Sequence, residues 1–371
     1  MKITFCYLTG LFIFLTVLTA CKKMDSNYKK FIVYGGITYV GPATSAVAYS
    51  GHNRVKVTWL RSGDPNVSKA RIFWNNNTDS VEFDIPPTGD TINYIINNLP
   101  EKSYSFIIRT YDGKGNSSVP IELLSSSYGE NYQSSLLNRS INLNTLNISN
   151  EVSIEWGGAD ISNGAYETEV KYTDNLGNIK NQRFPTNVST STISDIKPGT
   201  RFLYRTAFKP DSLSIDDYFT DYAESGDFNI DKKGWKIIAY STQHDDGDNA
   251  VANFIDGTDA TRWHTNASTS KYPHFATIDM GVERTITKFG VWITTFATPG
   301  GDLRGPDKIQ FLTSLDNITW TNLGIFNFNR FLLGEQNFNM PTNLSARYFK
   351  FVGVSGPNTY MVMGEISAYG L

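Results

Sequence analysis

Cysteine and histidine are scarce in this chain, with two Cys and four His among 371 residues. His52, His244, His264 and His274 stand in no zinc-binding or triad-like spacing. There is no Gly-x-Ser-x-Gly elbow and no phosphate-cradling glycine loop. Glycoside hydrolysis needs two carboxylates across a cleft. The 36 Asp and Glu supply many candidates, but nothing in the chain resembles a hydrolase domain, so they are read as surface groups or cation ligands. No catalytic residue is assigned. The formal net charge of −3 shows no basic excess, so nucleic acid is not expected as a partner. No stretch sustains a helical period.

What is present points to β-structure. Aromatics make up 13% of the residues, including 20 Tyr and 23 Phe, amid abundant Asn, Ser and Thr. At the N-terminus, Lys2 precedes an apolar run over residues 3–18 that ends in Leu18-Thr-Ala-Cys21. Residues 1–20 are read as a signal peptide and set apart from the fold. The tetrad resembles a bacterial lipobox, which implies lipidation of Cys21. Cys6 would leave with the signal, so no intrachain disulfide is expected. Lys22 after the Cys resembles outer-membrane sorting. The chain is expected at the outer membrane, lipid-anchored and at the cell surface, with the periplasmic face as the alternative. Residues 21–35 then serve as a polar tether.

Beyond the tether, short alternating runs end in turn residues every 8–12 positions or so, a sandwich pattern. Val55-Lys-Val-Thr-Trp59 and Tyr104-Ser-Phe-Ile-Ile-Arg-Thr-Tyr111 alternate with period two, and Asp112-Gly113 closes the latter as a turn. The pattern recurs: Val55-Lys-Val-Thr-Trp59 matches Val152-Ser-Ile-Glu-Trp156, Trp74 matches Tyr172, and Tyr104 matches Phe202. The offsets are 97, 98 and 98 residues. A unit of about 100 residues with an early inner Trp fits an immunoglobulin or fibronectin III-like sandwich. Two such domains are assigned, at 36–125 and 126–227. Through Asp64-Pro-Asn-Val-Ser-Lys-Ala-Arg-Ile-Phe-Trp74 and Tyr111-Asp-Gly-Lys-Gly-Asn-Ser-Ser-Val-Pro120, the first also resembles a module of Bacteroidota surface lipoproteins that often precedes a discoidin-type domain.

The remaining residues, 228–371, are organised around 253–265. There Asp256-Gly257 turns the chain, and Asp256, Thr258, Asp259 and Thr261 crowd oxygens into one loop, the ligand chemistry of a hard cation such as Ca²⁺. Six motifs in order carry a family resemblance: Trp235-Lys-Ile-Ile, Ile255-Asp-Gly-Thr-Asp-Ala-Thr-Arg-Trp-His264, Pro273-His-Phe-Ala-Thr-Ile-Asp-Met-Gly281, Phe311-Leu-Thr-Ser-Leu-Asp-Asn-Ile-Thr-Trp320, Arg347-Tyr-Phe-Lys-Phe351 and Gly364-Glu-Ile-Ser-Ala-Tyr-Gly370. The stretch resembles the discoidin, or coagulation-factor 5/8 type C, domain, particularly its carbohydrate-binding branch. The fold class expected for the chain is therefore all-β, tandem fibronectin-like sandwiches followed by a discoidin-like jelly roll.

That resemblance implies a structural Ca²⁺ held by the Asp256 and Glu365 side chains, by Thr261, and by the carbonyls of Asn253, Thr258 and Gly364. It also implies a ligand rim made of loops at one end of the sandwich. Within those loops His244, Asp245, Asp302, Arg304 and Asn358 are assigned as hydrogen-bonding groups, and Tyr360 as a stacking platform for a sugar ring. Trp263 and Trp292 are expected in the core. The function that follows is non-catalytic glycan capture or adhesion by a surface lipoprotein. The alternative is a protein–protein assembly subunit working with outer-membrane uptake proteins; it calls for an extended apolar patch on the rim.

Overall fold

The computed structural model describes residues 29–33 and 35–371; the signal segment and Cys21 lie outside them. The chain is all-β and divides into two compact units, Met1–Tyr128 and Gly129–Leu371.

The first unit contains β1 (Thr44–His52), β2 (Arg54–Leu60), β3 (Val67–Trp74), β4 (Asp79–Asp84), β5 (Thr91–Asn97), β6 (Lys102–Asp112) and β7 (Ile121–Tyr128). They run in the order β4-β3-β6-β7-β1-β2-β5. The β1-β2-β5 and β4-β3-β6-β7 segments are joined only by a short parallel contact, Gly51 to Ser127 and His52 to Tyr128. The alternation legible in the sequence builds the core. Val55, Val57 and Trp59 of β2 are buried with Ala70 and Ile72 of β3 and Tyr104, Phe106 and Ile108 of β6. Tyr104 keeps its hydroxyl satisfied by donating to the Pro100 carbonyl at 2.8 Å.

The second unit opens with a sandwich laid out in the same way: β8 (Ile141–Leu146), β9 (Val152–Trp156), β10 (Ala165–Thr173), β11 (Ile179–Pro185), β12 (Thr190–Ile193), β13 (Leu203–Phe208), β14 (Tyr218–Phe219), β15 (Ala223–Glu224) and β16 (Phe228–Ile230). The repeated residues occupy matching places. Val152, Ile154 and Trp156 of β9 repeat the inward face of β2, and Tyr172 and Phe202 join them in the core. Even the parallel closure recurs, since β16 lies alongside β8 through Asn229–Thr145 and Ile230–Leu146.

The last strands are β17 (Lys236–Tyr240), β18 (Trp263–His264), β19 (His274–Trp292), β20 (Lys308–Ser314), β21 (Thr321–Asn327), β22 (Gln336–Ser355), β23 (Val362–Met363) and β24 (Glu365–Gly370). The long strands β19 and β22 stay paired past register shifts, so each serves both layers of a jelly roll. Between the layers lie Trp263, Phe254, Phe289, Phe311, Phe349 and Phe351, all essentially inaccessible. A fully buried Phe contributes roughly 1.5–3 kcal/mol.

No free linker separates this jelly roll from the sandwich before it. β16 pairs β8 on one side and, antiparallel, β24 on the other, through Phe228–Gly370 and Asn229–Tyr369. One sheet thus runs β12-β9-β8-β16-β24-β19-β22-β20-β21. Buried Arg284 locks the junction, donating to Asn150 Oδ1 at 2.9 Å and the Asn147 carbonyl at 2.6 Å. Asp227 accepts from both Arg201 and Thr287.

Trp263 takes its expected place in the core. Trp292 does not. Phe289, Val291 and Ile293 face inward, so strict alternation turns Gly290 and Trp292 to the other side of the sheet, where Trp292 is half-buried. Reading Trp292 as core overlooked its own strand's parity.

Candidate functional site

Backbone pairing gathers three loops at one end of the jelly roll. β18 and β23 pair through Trp263–Met363 and His264–Val362. The amide of His244 donates to the His264 carbonyl at 2.8 Å, and that of Val362 to the Arg304 carbonyl at 3.3 Å. These bonds bring His244, His264, Arg304 and Tyr360 together from distant parts of the domain.

The centre of the group is a stacked pair, His264 on Tyr360, with ring centroids 5.0 Å apart and planes 14° from parallel. The His244 ring lies 5.4 Å from that of His264 and is exposed. His264 Nδ1 sits 2.6 Å from its neighbour's carbonyl at Thr265, so Nδ1 carries the proton and Nε2 is left as an acceptor. Nε2 faces Arg304 Nη1 at 3.5 Å. Burial lowers the His264 pKa, and the charges of Arg304 and Arg262 nearby lower it further.

Arg304 is held by Asp302 in a two-pronged grip, Nε to Oδ1 at 2.8 Å and Nη2 to Oδ2 at 2.5 Å. Asp302 is 5% exposed. Burial opposes its ionisation, but Arg304 outweighs burial and holds the carboxyl below its ordinary range. The same contact raises the pKa of the guanidinium, keeping it charged. Asp302 thus fixes Arg304, whose side chain keeps 39% of its surface exposed to solvent.

The other assigned residues sit around this centre. Asp245 is exposed, and its carboxylate accepts from the Gly247 and Asn249 amides and the Asn249 side chain, shaping its own turn. Asn358 is half-buried on the loop that carries Tyr360. That loop is anchored from below by His274 Nε2, 2.8 Å from the Thr359 carbonyl. Two contributors were not assigned from sequence, His264 and Arg262. Arg262 lies 4.6 Å over the Phe296 ring and donates to Asn249. The signal for His264 was its position after Trp263, because a residue beside a core anchor on a strand faces the other way.

The cation loop shows a different chemistry. Thr261 Oγ1 lies 2.7 Å from Asp256 Oδ2, 3.3 Å from the Thr258 carbonyl and 3.4 Å from the Asn253 carbonyl. One hydroxyl proton faces three acceptor oxygens, so the cluster has more acceptors than donors, a donor set that fits an oxygen-bound cation. Glu365 reaches the same loop, accepting from Gly257 N at 2.5 Å, while Lys232 Nζ lies 2.6 Å from its other oxygen. Burial pushes the Glu365 carboxyl up to about 7, against the pull of Lys232. Gly364 stands beside it with its amide on the Trp292 carbonyl. Among the described residues no three His, Cys, Asp or Glu side chains converge as metal ligands; the other oxygens of this loop set are the Thr261 hydroxyl and backbone carbonyls.

Residues 21–218 match the family DUF4998, described as a domain of unknown function, and residues 236–366 match the F5/8 type C domain. No curated protein matches the chain. Among solved structures, the C-terminal domain of a chitobiase from Bacteroides fragilis is 24% identical, with a TM-score of 0.35 over 38% of this chain and 97% of that one. A family 32 CBM from Clostridium perfringens, solved in complex with galactose, is 16% identical, with a TM-score of 0.34 over 38% of this chain and 98% of that one. A CBM32 from the same organism, solved with GalNAc-β-1,3-galactose, is 19% identical, with a TM-score of 0.34 over the same two shares.

Proposed function

For a chain that belongs to the DUF4998 family and ends in an F5/8 type C domain, we propose a non-catalytic surface lipoprotein that captures glycans at the C-terminal rim. The observation that carries this reading is the convergence of a fixed guanidinium with a stacked aromatic pair. Arg304 offers charged donors held by Asp302, His244 adds a polar group, and the Tyr360–His264 stack gives a flat face beside them. Sugars present hydroxyls around their edge and C–H groups on their faces, which such a site complements. Binding at one small rim is weak, and many copies on one membrane would strengthen it by avidity.

Lipidation of Cys21 would hold the chain at the outer membrane, facing the exterior. The two N-terminal sandwiches, the first of three strands over four, are in our reading fibronectin III-like units. Ca²⁺ at the Thr261 cluster would be held by Asp256, Thr261, Glu365 and the carbonyls of Asn253, Thr258 and Gly364. It would supply the charge that ties the loop to the last strand.

The test is a glycan array probed with the mature chain and its Arg304→Ala variant. Selective binding by the parent that the variant loses supports the reading. A parent that binds nothing while folded, or a variant with the parent's pattern, would sink it.

One observation favours a second reading, docking to a partner in an uptake assembly. Phe331, Leu332 and Leu333 are exposed in succession next to exposed Leu303, and Arg330 ties the two loops by donating to the Leu303 carbonyl at 2.9 Å. This apolar spur flanks the Arg304 loop and suits a protein surface better than a sugar. Phe331→Asp separates the two, weakening partner capture while leaving glycan binding intact.

A further inference from the structure

The continuous sheet of the second unit carries a cleft of about 660 Å³ that the rim does not use. Its floor follows from strand register. Thr145 on β8, Asn229 on β16, Tyr369 on β24 and Lys288 on β19 are successive cross-strand partners. Two residues further along, Ser367 lies opposite Gly290, and two beyond that Glu365 lies opposite Trp292. Alternation puts all of them on the face opposite buried Ile366, Ala368, Phe289 and Val291.

The side chains shape the cleft. Ser367 is short, so the floor dips between Trp292 and Tyr369, while the Glu335 side chain covers Gly290. The dip is bounded by Tyr369, whose hydroxyl donates to Glu335 at 2.6 Å and whose ring lies 3.8 Å beneath the Lys288 ammonium. The turn at 231–233 and the cation loop at 255–259 form the walls.

Charge decides the class of ligand. With no cation on the loop, Asp231, Asp256, Asp259 and Glu365 line the cleft against Lys232, already paired with Glu365, and Lys233, with Lys288 at the Tyr369 edge; an ion held by Asp256 and Glu365 would bring the lining near neutrality. A phosphate, sulfate or uronate finds no clear excess of positive charge in either case. A neutral, hydroxyl-rich molecule would meet acceptors for its protons, the Asn229 and Ser367 side chains, and one half-buried indole. The volume falls within the range of small-molecule sites, roughly 300–1,000 Å³.

We propose that this cleft binds a stretch of neutral oligosaccharide, with the Trp292 ring against one sugar face and Asn229, Ser367 and Thr145 hydrogen-bonding its hydroxyls. The site lies on two domains at once. The second sandwich thereby becomes part of the binding machinery, and the junction at β16 is what builds the site. This goes beyond the rim reading and does not need it.

The test uses the full mature chain carrying Arg304→Ala, which silences the rim, against a panel of neutral tetrasaccharides (β-1,4-galactan, cello-, xylo-, malto- and chito-oligomers) and a tetragalacturonate. Retained binding to at least one neutral member is expected. Adding Trp292→Ala should weaken it about tenfold or more, and Asn229→Ala should weaken it severalfold, with Trp292→Phe close to the parent. If Trp292→Ala does not fold, Asn229→Ala and Thr145→Ala on the sheet surface carry the test. The proposal is overturned if the rim-silenced chain binds no neutral member, if it binds tetragalacturonate alone, or if cleft substitutions leave the affinity unchanged. Failure of the rim reading looks different: Arg304→Ala would then keep the parent's full pattern.

Discussion

Asp302 grips Arg304 from two residues away, Oδ1 on Nε at 2.8 Å and Oδ2 on Nη2 at 2.5 Å, and is itself almost wholly buried. The acid and the base of this loop therefore have different work in the proposed rim: Asp302 positions, and Arg304 would meet the ligand. In Asp302→Asn the charge-assisted grip is lost while the loop's outline is kept. Glycan affinity should fall about tenfold, the equivalent of roughly 1.4 kcal/mol, in line with a weakened hydrogen bond to a charged group. Titration of the variant with an array-selected glycan checks this, and unchanged affinity would show that Asp302 does not position Arg304.

The pH dependence of stability follows from two buried imidazoles. His274 is fully buried, its Nε2 faces the Thr359 carbonyl, and its Nδ1 has no hydrogen-bond partner. Burial lowers its pKa, as it does for His264. A group with a lower pKa when folded binds fewer protons than in the unfolded chain. Stability is therefore lost as the pH drops below the unfolded value, about 6.5, and the loss levels off below the folded value. Glu365, raised to about 7 by burial, titrates with the opposite sign, so the comparison is made between variant and parent at each pH. Thermal melts across this range should show a shallower fall for His274→Gln than for the parent; identical slopes would contradict the assignment.

Cation binding should appear as stability without specificity. Chelation should lower the melting temperature of the mature chain and leave its glycan pattern unchanged, and Asp256→Ala should melt like the chelated parent. An ion present at about 100 times its Kd would stabilise the fold by about 2.7 kcal/mol. A melting temperature indifferent to Ca²⁺ and chelator would show that Lys232, already 2.6 Å from Glu365, meets the charge requirement without an ion.

The junction makes residues of two domains unfold together. β16 belongs to both, and Arg284 spans them with two hydrogen bonds. Gly129–Leu371 should unfold in one cooperative transition, and Arg284→Ala should lower its stability by roughly 1.5–3 kcal/mol. Two resolved transitions in the parent would show that the shared sheet does not couple them.

Much of this architecture could be read in the sequence because it rests on short-range periodicity. The repeat of Val55-Lys-Val-Thr-Trp59 at Val152 found two matching inner strands, β2 and β9, and the motif around Asp256 found the oxygen cluster. What escaped depends on long-range partners. Asp245 and Asp302 are polar loop residues by sequence. Only the fold shows that one caps its own turn and the other is buried under a guanidinium. His264 gains its role from Tyr360, and nothing local to either residue announces the stack. The segment at 225–234, rich in Gly and Asp, reads as a boundary. Three of its residues still find strands to pair with on both sides, because Phe228 and Ile230 are apolar enough to be buried there. The outward place of Trp292 is legible from the parity of its own strand, opposite to that of Phe289, Val291 and Ile293.

The most direct test is isothermal titration of the strongest array-selected glycan into the mature chain, Arg304→Ala and Tyr360→Ala, each shown to be folded by its melt. Saturable binding by the parent, weakened about tenfold or more by each substitution, is the expected result. Equal affinity in all three proteins, or no binding by the parent to any glycan, would contradict the assignment of this rim as a glycan site.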